Sequence, residues 1–175
     1  MTLHRNSSPR VRIRPPVPGD CAAFLDAVRR SRSLHKHWIL PKPKTPGEFL
    51  AYIERFSTGS HHGFFVVLRE TSKIVGVINL NNVILGAHQS ASLGYYAFLP
   101  HAGQGLMNEG MRLVIRHAFS KLKLHRLEAI IQPDNPASIA LVRKCGFKRE
   151  GLARGCVKIK GRWRDHERWA IVSSD

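Results

Sequence analysis

Long apolar runs are missing. Phe64 to Leu68 spans five residues, whereas a bilayer-crossing helix needs about 20, so no membrane span is expected. Arg5, Arg10, Arg12 and Arg14 crowd the N-terminus without an apolar block behind them, so no secretory signal is read there. Cysteine is scarce and odd in number: Cys21, Cys145 and Cys156. Three cysteines do not make a disulfide framework and read as reduced thiols of a cytoplasmic protein. Zinc-type spacing is absent too. There are ten histidines, including His35-x-His37 and His61-His62, but no accompanying ligand cluster, so no metal is expected. Acidic residues are few, 12 against 28 lysines and arginines, for a formal charge of +16. Such a surface attracts polyanions, which makes RNA, ribosomes and phosphorylated cofactors candidate partners.

Repeats, low-complexity tracts and dividing linkers are likewise absent. Residues 1–175 read as one domain, and 43% hydrophobic content supplies a core. What is there alternates between strand and helix periods. Val11 and Ile13 alternate with arginines, as in a first strand. Pro18-Gly19-Asp20 opens a helix striped by Phe24, Ala27 and Val28, with Asp20 as N-cap. Thr45-Pro46-Gly47-Glu48 is a capping box with proline at the first helical position. Phe49, Ile53 and Phe56 follow at helical spacing. An irregular stretch with His35, His37, Trp38, Pro41 and Pro43 separates the two helices.

Three strands follow: Gly63 to Glu70, Lys73 to Leu80 and Ala91 to Leu99. Their short connections predict antiparallel pairing, and Leu93, Tyr95, Ala97 and Leu99 are expected on one face. A glycine loop from His101 to Gly105 leads into a long helix with Leu106, Gly110, Leu113, Val114 and Ala118 as its stripe. His125 to Gln132 reads as a strand. Asn135-Pro136 caps and starts a helix that Gly146 ends. Two strands, Phe147 to Ile159 and Trp163 to Val172, turn at Lys160-Gly161. The expected fold is α/β (α+β): a mixed, mostly antiparallel central sheet of about seven strands with helices on both faces.

The strongest local feature is the strand–Gly103-Gln104-Gly105–helix passage from Tyr95 to Asn108. A helix N-terminus presents unpaired amides and positive potential, and glycines let a ligand approach the backbone, which together make a phosphate cradle. A P-loop is excluded, because Gly-x-x-x-x-Gly-Lys-Ser/Thr is absent. A dinucleotide fingerprint is disfavoured, because Asn108 stands where its third glycine belongs. A pyrophosphate loop for coenzyme A remains, against a plain glycine turn.

Five runs, in order, decide between them. They are Gly103-Gln104-Gly105-Leu106-Met107-Asn108-Glu109, Leu124-His125-Arg126, Pro133-Asp134-Asn135-Pro136-Ala137-Ser138, Cys145-Gly146-Phe147-Lys148-Arg149-Glu150-Gly151 and Gly161-Arg162-Trp163-Arg164-Asp165-His166. On these the sequence resembles the GNAT N-acetyltransferases, and within them the RimJ/RimL branch, which acetylates N-termini of ribosomal proteins. The first hundred residues match only in the order of elements.

The resemblance implies acetyl-coenzyme A as cofactor. Tyr96, Ala97, Phe98 and Leu99 would offer backbone to the pantetheine arm where the fourth and fifth strands splay. Gly103, Gln104, Gly105, Leu106 and Met107, with Asn108 behind them, would hold the pyrophosphate. Ala102 and Met107 depart from the general family pattern at its first and last positions. Asn135 and Ser138 match the branch's Asn-x-x-Ser, with Ser138 near the thioester sulfur to serve the departing thiolate. Asn135 also reads as a helix cap, and Ser138 as an ordinary first-turn residue.

Amide formation needs a neutral amine beside a thioester carbonyl, with amides of a bulged strand stabilising the oxyanion. A lysine amine costs roughly 2.5 pKa units more to deprotonate than an α-amine, about 3.5 kcal/mol. No strong base stands out. Glu128, Asp134, and Tyr95 or Tyr96 through water are the candidates, although Glu128 could equally pair with Arg126 and the tyrosines could be core. A weak or water-relayed base suits an N-terminal α-amine better than a lysine. Three functions stay open: acetylation of a protein N-terminus, of a small-molecule amine, or RNA and ribosome binding without catalysis. Arg154, Lys158, Lys160, Arg162 and Arg164 crowd around Trp163 in the last hairpin, where ribosomal RNA could dock.

Overall fold

The computed structural model describes residues 9–38 and 43–175. Arg5 and Pro41 lie outside them. The elements are β1 (Val11–Arg14), α1 (Cys21–Arg30), α2 (Arg32–His35), α3 (Pro46–Glu54), β2 (His62–Leu68), β3 (Ile74–Ile84), β4 (Ser90–Ala97), α4 (Leu106–Ser120), β5 (Arg126–Ile131), α5 (Pro136–Lys144), β6 (Lys148–Ile159) and β7 (Arg162–Val172). The seven strands form one sheet in the order β1-β2-β3-β4-β5-β7-β6. Its ladders are antiparallel except β4–β5, which is parallel. The parallel step needs a crossover, and α4 provides it.

Two apolar layers sandwich the sheet. Val66, Ile78, Leu93, Leu127, Trp169 and Ile171 pack under α4 and α5 with Met111, Val114 and Val142. On the other face Phe65, Val77 and Phe98 pack under α1 and α3 with Phe24, Phe49 and Tyr52. Helix α4 lies close to β2 at Gly110, where a Cβ would stand 2.6 Å from Val66 Cγ2. Burying a large side chain in either layer stabilises the fold by about 1.5–3 kcal/mol.

Local signals and structure differ in four places. The capping role expected of Asp20 goes elsewhere: its carboxylate accepts from Arg14 at 2.6 and 2.7 Å and from the Val17 amide at 2.8 Å. The stretch after α1 holds a further helical turn, α2, with His35 buried. Strand β3 runs past Leu80 to Ile84 because a register break between Asn81 and Ile84 absorbs the irregular residues. Leu99 leaves the face expected for it, being 36% exposed, because β4 ends at Ala97. Thr45 and Asn135 do cap their helices, each accepting from the amide three residues on, Glu48 at 3.3 Å and Ser138 at 3.1 Å.

Candidate active site

Strands β4 and β5 pair only from Ser90–Arg126 to Ser92–Glu128. Beyond that β4 stays on β3 and β5 stays on β7, so the sheet opens into a V. Alternate residues of an antiparallel strand turn their backbone groups to opposite neighbours. The Phe98 amide donates to the Val75 carbonyl at 2.7 Å. By that alternation Tyr96 and Phe98 face β3, whereas Tyr95 and Ala97 face the V. Ser31, between α1 and α2, and His35, the last residue of α2, close its far end. His35 Nε2 lies 2.8 Å from the Ala97 carbonyl, and the Leu99 amide donates to Ser31 Oγ at 2.9 Å. Of Tyr96 to Leu99, therefore, the Ala97 amide is the one turned toward the V. The strand is not bulged there, since the break between β3 and β4 lies at Asn81 and Ile84. Ser31 and His35 had no local sequence signal, because their partners are more than sixty residues away.

The V runs out to the loop before α4. Gly103 and Gly105 both have left-handed φ, +81° and +77°, which disfavours any residue with a Cβ. A Cβ at Gly103 would meet nothing within 4 Å, and one at Gly105 only Arg10 Nη2 at 3.5 Å. Gly105 caps α4 without a side chain, and the Asn108 and Glu109 amides return to its carbonyl at 3.1 and 3.3 Å. The amides of Leu106 and Met107 precede that first helical bond, at the positive end of a 15-residue helix. An open, glycine-lined hollow above such amides fits the pyrophosphate of coenzyme A. Arg10 braces the loop from outside: its Nη2 donates to the Gln104 carbonyl at 3.0 Å and its Nε to Glu109 at 2.7 Å. Asn108 faces inward, donating from Nδ2 to Cys145 Sγ at 3.2 Å. Burial pushes the Cys145 thiol up to about 11.

On the α4–α5 side of the V, Tyr95 Oη and Ser138 Oγ are 2.6 Å apart. Asn135 holds the start of α5 by taking the Ser138 amide. Burial pushes the Tyr95 phenol up to about 12, with the Ser138 bond offsetting part of it. Tyr96 is raised further by burial, and its hydroxyl has no partner among the described residues. Both tyrosines are thus held as phenols at neutral pH. Glu128 Oε1 lies 2.8 Å from Arg126 and 3.6 Å from Arg168. Its carboxylate is thus shared by two guanidiniums.

A cleft of about 580 Å³ lies beyond the V, between the hairpin and the end of α2. His37, Trp38, Asp134, Lys160, Arg162 and Arg164 line it. Lys160 Nζ donates to the Lys36 carbonyl at 2.5 Å, tying the hairpin tip to the segment after α2. The hairpin cations divide around Trp163. Register pairs Arg162 with Ile159 and Arg164 with Val157 on one face, and Trp163 with Lys158 on the other. Trp163 is 65% exposed. Among the described residues no three side chains gather as metal ligands, and no helix is long and apolar enough to cross a membrane.

Residues 10–148 match the family described as the acetyltransferase (GNAT) domain. Over 124 residues the chain is 40% identical to a Bacillus subtilis (strain 168) protein named "Probable N-acetyltransferase YjcK", covering 71% of this chain and 68% of that one. Over 117 residues it is 34% identical to the ribosomal protein uS5-alanine N-acetyltransferase of Escherichia coli (strain K12). That match covers 67% of this chain and 60% of the relative, less than two thirds of its length. Mycobacterium smegmatis RimJ, solved in complex with CoA-disulfide, has the same fold with a TM-score of 0.86 at 26% identity, over 94% of this chain and 82% of that one.

Proposed function

The chain belongs to the GNAT acetyltransferase family, and we propose that the amine it acetylates is the α-amine of a protein N-terminus, with ribosomal proteins as the acceptor class. It is an N-acetyltransferase that uses acetyl-CoA. The observation that carries the acceptor reading is the charge of the cleft, where Lys160, Arg162 and Arg164 face a lone described carboxylate, Asp134. A polyamine or aminoglycoside carries several positive charges and would be repelled there. A peptide N-terminus carries one, which Asp134 can take. The relative that acetylates the alanine of uS5 points the same way.

Acetyl-CoA supplies a thioester whose carbon–sulfur bond breaks as the amine forms the new carbon–nitrogen bond. The residues of this chain then have separable tasks. The Gly103–Met107 turn would hold the pyrophosphate end, with Asn108 behind it bonded to the Gly105 carbonyl and Cys145 rather than to the phosphate, and the Ala97 amide lies along the V for the arm. Ser138, held by Asn135 and Tyr95, offers a hydroxyl hydrogen for the charge that collects on sulfur. With Tyr95 as the donor to Ser138 Oγ, one of the two directions this contact allows, the serine's own hydrogen is free to point elsewhere. The α-amine needs little help from a base, since it titrates near 8. Asp134, in the cleft just before Asn135, is placed to receive the amine.

The proposal places this reaction in the cytoplasm, on or near ribosomes. The outward face of the hairpin, with Trp163 and Lys158 side by side, supports an RNA contact there, since an exposed aromatic beside a cation suits base stacking. Acetylation of an alanine-initiated peptide, spermidine and an N-blocked lysine peptide, followed by mass spectrometry, tests the acceptor. Transfer to the α-amine alone is expected. Preferential transfer to spermidine would replace this reading with the small-amine one.

A further inference from the structure

Resting on that reading, we infer that the cleft selects N-termini followed within a few residues by acidic side chains. The charges lie in order. Asp134 adjoins Asn135, whose side chain holds Ser138, so the negative group marks the reacting end. The positive groups stand on the hairpin wall. Among the described residues neither Lys160, Arg162 nor Arg164 takes part in an ion pair, whereas Arg10, Arg14, Arg126, Arg149 and Arg168 each have a carboxylate partner. Asp165, the acidic residue of this hairpin, lines an adjoining hollow with Asp134 and Arg164, but its carboxylate accepts from the Gly155 amide at 2.7 Å and forms no ion pair with Arg164. The carboxylates of the fold are thus committed to other arginines, and the cleft's three cations line one hollow with Asp134 as its carboxylate.

Spacing adds to sign. Arg162 and Arg164 are two apart on β7, so their side chains leave the same face about 7 Å from each other. An extended peptide presents alternate side chains at that same interval. Carboxylates at alternate positions of the acceptor therefore meet the two guanidiniums, each able to bind in the forked, two-bond manner. Lys160, fixed to the Lys36 carbonyl, places a third charge at the mouth. The positive wall serves the acceptor and not the cofactor, whose phosphates belong at the glycine loop.

Initial rates with the full chain and saturating acetyl-CoA test this on peptides of one length. Each begins with alanine and carries glutamate, glutamine or lysine at alternate following positions. The acidic peptide is expected to exceed the neutral one by about tenfold in kcat/KM, mainly through KM, and the basic peptide to fall below both. Raising ionic strength is expected to shrink the preference. In the double variant Arg162→Gln/Arg164→Gln the acidic-to-neutral ratio is expected to approach one. Equal rates on acidic and neutral peptides would overturn this inference and leave the N-terminal reading standing. Rates on spermidine with none on any peptide would overturn both. A wild-type ratio kept by the double variant would remove the selectivity from these arginines. Equal peptide rates together with salt-sensitive RNA binding lost in the double variant would assign the cations to RNA and overturn the inference.

Discussion

Tyr95 and Ser138 stand 43 residues apart in the chain, yet their hydroxyl oxygens are 2.6 Å apart across the opened sheet. Burial pushes the phenol up to about 12, and the neutral hydroxyl can donate this bond or accept it. In the proposed reaction its role is to position the serine hydroxyl.

Tyr95→Phe is therefore expected to lower kcat about tenfold while leaving the KM for acetyl-CoA close to wild type. Ser138→Ala is expected to cost more, within the 10²–10⁴ that a positioned proton donor supplies. The double variant should be no worse than Ser138→Ala alone, because residues acting as a unit are not additive. Full additivity of the two losses would separate Tyr95 from the serine. Tyr95→Phe also removes a buried hydrogen bond and should destabilise the fold by about 1 kcal/mol, measured by urea unfolding.

Gly105→Trp places a large side chain in the open hollow at a φ of +77°. Coenzyme A affinity is expected to fall by more than about tenfold, since the amides of the helix start are covered. The stability cost should stay near 1–2 kcal/mol, that of a left-handed backbone for a residue with a Cβ. Calorimetric titration of the folded variant checks it, and an unchanged dissociation constant would move the pyrophosphate site away from this loop.

Glu128→Gln should leave kcat within about threefold of wild type. Its carboxylate is occupied by Arg126 and Arg168, and partly exposed pairs of this kind contribute about 0.2–1 kcal/mol each. A fall in kcat of a hundredfold, recovered at higher pH, would restore Glu128 as the base.

Burial holds His35 below its ordinary value, with the Ala97 carbonyl opposing part of the shift, and burial lowers His62, His101 and His117 as well. The unfolded chain therefore binds these protons more readily than the folded one. Stability is full above the ordinary histidine value of about 6.5 and is lost as pH falls below it toward the folded values. Melting temperature is expected to drop between pH 7.5 and pH 5.5, and less steeply in His35→Gln. A melting temperature that is flat or rises on acidification would contradict this.

Much of this protein follows from local pattern. Periodicity set the strands and long helices, since a buried strand or helix face must repeat its apolar residues at period two or 3.6. Thr45, Asn135 and Gly146 marked helix ends because capping is short-range chemistry. The glycine loop was legible because Gly103 and Gly105 answer a backbone need that lies within the loop itself. Other relationships join residues far apart in the chain, and no local signal encodes them. His35 and Ser31 reach Ala97 and Leu99, Arg10 reaches Gln104, and Tyr95 reaches Ser138. Sequence also could not divide the hairpin's charges between faces. That depended on the register of β6 against β7, which set Arg162 and Arg164 opposite Ile159 and Val157 and Trp163 opposite Lys158. Chain-local geometry was determined by the order of residues, whereas which charges meet in the cleft was decided only when the strands paired.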